Sequence, residues 1–247
     1  MWQLNDIWQG VSWSTIEYSG RYALGVVSSV IETRRWKVLQ YGQARIFSPV
    51  IVYPFWTASN ETLEVVVTSD LWDPVHGIAA LTWYNWKGEA LHFTQHEFTT
   101  PALNNSLVFN ATGLGDILPN GTQANDVWLL VNVTAIVNGS TVSNEQYVRM
   151  LRSFGCMLVY GISLLFQFTP TSLANVSLID PQIDVSWIDN STLILSARGG
   201  VAPWAWVDHP AGTIGYFVDA HTNVPSNGFY LIPGITRTCM SPFHQIN

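Results

Sequence analysis

Leu63-Glu64-Val65-Val66-Val67-Thr68-Ser69, with Leu71-Trp72-Asp73-Pro74 behind it, reads as a β-branched strand meeting a turn. The same grammar extends in both directions. Val50–Tyr53 precedes this strand, and Ile78–Tyr84, Ala90–Phe98, Ser106–Phe109 and Val127–Val137 follow it, separated by Pro, Gly and Asn turns such as Asp73-Pro74 and Asn120-Gly121. A second set comprises Ile183–Ser186, Thr192–Ala197, Trp204–Asp208, Gly215–Asp219 and Gly228–Leu231. Short strands at regular spacing predict a mostly-β chain with two Ig-like β-sandwich domains.

Residues 1–47 read differently. Met1-Trp2-Gln3-Leu4 is a short apolar strand ended by Asn5-Asp6. Arg35–Phe47 is helix-compatible, with Trp36, Leu39, Gln43, Ile46 and Phe47 near one face. A strand, a Trp-rich loop and a helix make one βα unit, which cannot be a domain by itself.

Composition narrows the function classes. Only 11% of the 247 residues are charged while 12 Trp, 9 Tyr and 11 Phe are present, which argues against disorder. The net charge is −7 and no basic run exceeds Arg34-Arg35, so nucleic acid is excluded as a partner. Eight Asn-X-Ser/Thr sequons, at Asn60, Asn104, Asn110, Asn120, Asn132, Asn138, Asn175 and Asn190, predict glycosylation and passage through a secretory pathway. Met1 leads straight into Trp2-Gln3-Leu4 with no signal peptide, so the natural N-terminus is expected upstream.

Several stretches resemble the β-mannosidases of glycoside hydrolase family 2. Trp2-Gln3-Leu4-Asn5-Asp6-Ile7-Trp8-Gln9, Ser12-Trp13 and Ile16-Glu17-Tyr18 are similar to the last strand and loop of their catalytic (β/α)8 barrel. Trp36-Lys37-Val38-Leu39-Gln40-Tyr41 is similar to the start of the last barrel helix. Phe47-Ser48-Pro49-Val50-Ile51-Val52 and Thr68-Ser69-Asp70-Leu71-Trp72 resemble the accessory sandwich. Asp180-Pro181, Gly199-Gly200-Val201, Trp206-Val207-Asp208, Pro210-Ala211-Gly212 and Asn227-Gly228-Phe229 resemble the terminal Ig-like domain. The resemblance implies residues 1–47 as a remnant of the barrel, 48–171 as an accessory sandwich and 172–247 as a truncated terminal Ig-fold domain.

Three segments interrupt that resemblance: 22–35, 148–167 and 239–247, the last standing where a final strand is expected after Thr238. All three are read as translated introns. Arg21-Tyr22-Ala23, Val148-Arg149 and Cys239-Met240-Ser241 can each encode a splice donor, and Ser163–Gln167 can encode a pyrimidine tract with its acceptor. The competing reading of Phe154–Phe168 is a membrane span, but this stretch is broken by Gly155, Gly161 and Ser163 and is shorter than the roughly 20 residues a spanning helix needs. Cys156 and Cys239, the only two cysteines, both lie in these segments, which argues against a disulfide. With the terminal strand missing and the βα piece orphaned, an open sheet edge and aggregation are expected.

Catalytic residues are expected to be absent. Retaining glycosidases use two carboxyl groups about 5–5.5 Å apart, and no residue here matches the two glutamate motifs of the family. An Asp6–Glu17 pair would lack a barrel to hold its geometry. Trp2, Asn5, Asp6, Trp8 and Trp13 lie at or beyond a strand's C-terminal end, where barrel active sites form. The resemblance implies that they line the sugar pocket of the complete enzyme; the alternative is that Trp8 and Trp13 only pack the loop. His92 and His96 share one strand face but have no third ligand, so a solvated face is expected and no metal. His209 after Asp208 reads as a strand end and turn. Trp204 and Trp206, two apart, form either a sandwich core or a sugar platform.

The resemblance implies a complete enzyme that is secreted, releases terminal β-linked mannose from mannan-type oligosaccharides with retention, needs no cofactor and allows a homodimer. The fragment itself is expected to be inactive. The alternative is a non-catalytic carbohydrate-binding or scaffold protein made of the two sandwiches.

Overall fold

Strand β2 (Thr62–Ser69) shows why its sequence folds as it does: Leu63, Val65, Val67 and Ser69 are buried, and the residues between them are half-buried. Period-two alternation is what a strand with one face on a core requires. In the computed structural model, which describes residues 41, 44–45, 47–57, 59–137, 139–148, 176–208, 213–241 and 244–245, β2 is the centre of a three-stranded antiparallel sheet. Its neighbours are β1 (Val50–Thr57) and β5 (Asn105–Thr112). Pro54 lies opposite Val65 on β1, an edge strand, where a missing N–H can be tolerated.

The chain then forms β3 (Val75–Asn85) and β4 (Ala90–Thr100), returns through β5 and the single helical turn α1 (Leu114–Ile117), and ends this unit's sheets with β6 (Val127–Val137) and β7 (Ser140–Val148). A four-stranded antiparallel sheet has the order β4-β3-β6-β7. Its inward side chains, among them Ala79, Leu81, Trp83, Leu129, Val131 and Val133, share one buried core with Val50, Val52, Leu63, Val65 and Val67 of the first sheet. Each fully buried Val or Leu contributes about 1.5–3 kcal/mol, so this shared layer is what holds the sandwich together. Hydrogen bonds tie the sheets at both margins. The Val52 N–H donates to Asn144 Oδ1 (3.3 Å) on the β1–β7 side, and Ser106 Oγ donates to the Thr99 carbonyl (2.9 Å) on the β5–β4 side.

A second unit contains Tyr41 and residues 180–245. Its strands are β8 (Ile183–Trp187), β9 (Thr192–Ala197), β10 (Ala202–Ala205), β11 (Thr213–Ile214), β12 (Val218–Asp219), β13 (Phe229–Leu231), β14 (Arg237–Met240) and β15 (His244–Gln245). They form a sheet of order β12-β14-β9-β8 and the pairs β10-β13 and β11-β15. The core gathers Leu193, Leu195, Phe217, Phe229, Leu231 and Cys239 around Tyr41. Mostly-β architecture with Ig-like domains is therefore the fold of the described residues.

Four expectations need correction or completion. The strand thought missing after Thr238 is present: β14 pairs Cys239 with Leu193 and Met240 with Thr192, and lies between β9 and β12 instead of leaving that edge open. Cys239 serves as a small apolar core residue there, which its neighbours in sequence did not reveal. The strand expected at Trp204–Asp208 ends instead at Ala205, because Trp204 takes φ +56° at a register shift and Val207 bonds to the Asn227 side chain instead of a neighbouring strand. Strand β7 had not been anticipated, and it completes the four-stranded sheet. The βα unit of residues 1–47 lies outside the described residues, apart from Tyr41, Ala44 and Arg45, which are helical, and Phe47.

Candidate functional site

The predicted pocket residues Trp2, Asn5, Asp6, Trp8 and Trp13, and Glu17, lie outside the described residues, as do Asn138, Asn175, Cys156, His209 and the Phe154–Phe168 stretch. No described helix is long and apolar enough to cross a membrane. The described carboxylates with hydrogen bonds serve local structure. Asp189 accepts the Ser191 and Thr192 N–H groups at 2.7 and 2.8 Å, and these bonds with the Ser191 hydroxyl hold its carboxyl below the usual range. Asp219 caps a turn through His221 and Thr222, and Glu61 Oε2 accepts the Leu114 N–H at the start of α1. Asp184 pairs with Arg198 on exposed strand surface. Carboxylates engaged this way build turns and strand surfaces; their bonds do not assemble an acid and a nucleophile across a sugar site.

An open groove of about 640 Å³ runs between the free margins of β4 and β5, lined by Gln95, His96, Glu97, Thr99, Ser106 and Leu107. His92 and His96 do share a face, the one that continues the core side of β4: His96, opposite buried Ala79, is half-buried, whereas His92, opposite Trp83, is exposed as expected. The His96 ring packs on Phe109 (5.6 Å), and its Nε2 is buried without a hydrogen-bond partner. Gln95, Glu97 and Thr99 make up the solvated face. A lone carboxyl with a buried imidazole offers no hydrolytic pair, and no cluster of three metal ligands occurs among the described residues.

Of the tryptophan pair, Trp204 packs its ring edge-on against Tyr230 (5.6 Å). Trp206 meets Tyr41 at 5.4 Å with an interplanar angle of 86° and remains 39% exposed. The Asn227 amide fixes the next residue, accepting the Val207 N–H at 3.0 Å and donating to its carbonyl at 2.8 Å. The two indoles have different aromatic partners but both flank Gly228, and Trp206 is the exposed one of the pair. Sequence reasoning passed over Trp72, which is 82% exposed in the β2–β3 turn between the exposed Asp70 and Asp73. An indole set between two acids in a turn was the available signal. The sequons sort by position: Asn60, Asn104, Asn110, Asn120 and Asn190 are exposed, whereas Asn132 is half-buried in the middle of β6 with its Oδ1 covered.

Two families match this chain: one described as Mannosidase Ig/CBM-like domain over residues 61–150, and an Ig-fold domain of mannosidases over residues 178–241. Beta-mannosidase A of Aspergillus fumigatus is 33% identical over 243 residues, covering 96% of this chain and 22% of that protein. Beta-mannosidase A of Aspergillus terreus is 33% identical over 242 residues with the same coverage. The chain thus spans 22% of the length of these relatives. Among solved structures, a beta-D-mannosidase from Dictyoglomus thermophilum superposes with a TM-score of 0.53 at 11% identity, over 90% of this chain and 24% of that one. The exo-chitosanase CsxA of Amycolatopsis orientalis gives a TM-score of 0.50 at 16% identity, over 89% of this chain and 26% of that one. At such identities these structures speak for the fold alone.

Proposed function

Because the chain belongs to the C-terminal portion of the glycoside hydrolase family 2 β-mannosidases, we propose that it supplies the non-catalytic sandwiches of a retaining enzyme that releases terminal β-linked mannose. The observation carrying this reading is the relation to fungal β-mannosidases over 96% of the chain, joined to a sequence in which no residue matches the two catalytic glutamate motifs. Trp2, Asn5, Asp6, Trp8 and Trp13 are assigned to the sugar pocket of the complete enzyme. The complete protein is read as a secreted glycoprotein that acts on β-mannoside oligosaccharides, with a homodimer allowed. Domain limits at 47/48 and 171/172 follow the same reading.

The test is direct. The purified chain, incubated with p-nitrophenyl β-mannoside and with mannobiose, is expected to release nothing above the uncatalysed background. Turnover that survives repurification and disappears in an Asp6→Asn or Glu17→Gln variant would overturn the assignment of an inactive fragment.

The second reading is carbohydrate binding by the sandwiches, favoured by the exposed Trp206, whose neighbour Val207 is fixed by Asn227. Mannooligosaccharide binding by the chain, abolished by Trp206→Ala, would support it; unaltered calorimetric baselines at millimolar sugar would remove it.

A further inference from the structure

We propose that the apolar rim formed by Trp72 and Leu103 is the seat of the protein's own N-linked glycan at Asn104; this rests on the reading of the chain as a secreted glycoprotein. Trp72 is 82% and Leu103 is 51% exposed. Trp72 is the most exposed of the large apolar side chains among the described residues, so its indole face is free to be covered. Backbone hydrogen bonds bring the two loops together: the Leu103 N–H donates to the Leu71 carbonyl and the Ser69 N–H to the Asn104 carbonyl, each at 2.9 Å. The sequon asparagine therefore stands beside the turn that carries the indole.

The rim is held in place as well as exposed. The Asp70 N–H donates to the Pro49 carbonyl at 3.0 Å, and Ser69 Oγ accepts the Leu71 N–H at 3.2 Å. The Asn104 side chain is exposed, and its Oδ1 accepts the Asn105 N–H at 2.8 Å, while N-glycosylation modifies Nδ2.

Chemistry selects a saccharide as the occupant. The indole offers an apolar face to pyranose C–H groups, as aromatic rings with a wet edge do at interfaces. The flanking Asp70 and Asp73 carboxylates accept hydrogen bonds from hydroxyl groups. The same two charges disfavour an anionic lipid surface or an acidic partner. A glycan tethered at Asn104 needs no encounter with a free ligand, because tethering raises its local concentration at the rim.

The experiment uses the full chain secreted from a yeast host behind an added signal peptide. Glycopeptide mass spectrometry reads occupancy, and hydroxyl-radical oxidation of folded protein reads Trp72 before and after enzymatic glycan removal. Occupancy at Asn104 and a several-fold rise in Trp72 oxidation on removal are expected, with Trp206 unchanged. Asn104→Gln should show the same rise without enzyme treatment, and the deglycosylated wild type guards against a folding defect in that variant. Equal Trp72 oxidation in both states overturns the proposal, as does protection that persists after glycan removal and points to another occupant. An empty Asn104 beside occupied Asn60, Asn110, Asn120 or Asn190 overturns this inference alone. No occupancy at any sequon overturns the glycoprotein reading with it.

Discussion

Tyr41 and Phe217, 176 residues apart in sequence, are joined by a 2.8 Å hydrogen bond in which the Phe217 N–H donates to the tyrosine hydroxyl. Tyr41 is 1% exposed and lies in the same core as Leu193, Phe229 and Cys239. Tyr41, the last residue of the stretch that resembles the start of the last barrel helix, is thus anchored in the core of the terminal Ig-like unit.

Two substitutions separate the parts of that anchor. Tyr41→Phe keeps the ring and leaves a buried Phe217 N–H without its acceptor, at a cost of about 1–3 kcal/mol. Tyr41→Ala also removes the ring and should cost about 3–5 kcal/mol, as large aromatic truncations do. Calorimetry should show these losses in the transition of the unit containing residues 180–245, with the transition of the 47–148 sandwich unmoved. Equal shifts in both transitions would refute this local role.

Alkaline stability should depend on Cys239. Burial pushes its thiol from 9.0 up to about 12, with Asp219 adding to the rise. The folded chain therefore holds the proton more tightly than the unfolded chain, so this contribution is intact below pH 9 and is lost as pH rises from 9 towards about 12. Tyr41 and Tyr53 are raised in the same direction, chiefly by burial, and Tyr53 reaches about 12. Replacing Cys239 by Ala should flatten the fall in unfolding free energy between pH 9 and 11, measured by urea titration. An unchanged slope would mean that the thiol ionises freely in the fold.

Gly77 is required where β3 pairs with β6, opposite Ala135. An added Cβ would lie 2.5 Å from the Thr134 carbonyl oxygen and 2.7 Å from the Phe98 ring. The ring can shift, but the carbonyl belongs to a paired strand and cannot. Gly77→Ala should therefore destabilise the first sandwich by about 1–3 kcal/mol, the usual cost of overpacking, despite alanine's smaller loss of backbone entropy. A neutral or raised melting temperature would show that β6 can yield.

Much of the sandwich architecture was legible because its strands are rich in β-branched residues and bounded by turn formers. β2, β6 and β9 are of this kind. Legibility failed where tertiary context sets the local choice. The shared spacing of His92 and His96 identified a common face, yet only the pairing of β4 with β3 shows that the His96 end of it is covered while His92 stays exposed. φ +56° at Trp204 ends the regular strand that the spacing of Trp204 and Trp206 assumed, although both rings still flank Gly228. Cys239 in β14 looked foreign by resemblance but satisfies its position by being small and apolar. Of the candidate site, the sequon asparagines were readable from spacing alone. The juxtaposition of Asn104 with Trp72 was not, because it depends on hydrogen bonds between distant loops.

The internal segments 22–35 and 148–167 are proposed as translated introns, and sequencing of the transcript tests them. The message is expected to skip both and to continue upstream into a barrel that carries two glutamates. Reads running unbroken across both segments would overturn the proposal. The segment 239–247 stands apart. The Ig-fold match runs to residue 241, and β14 uses Cys239 and Met240 as paired strand residues. Any spliced continuation must therefore place an apolar side chain opposite Leu193 and a strand-compatible residue opposite Thr192. A message whose codons there specify a charged residue or proline opposite Leu193 would leave β9 without its neighbour, and the strand pairing would have to be sought elsewhere in the chain.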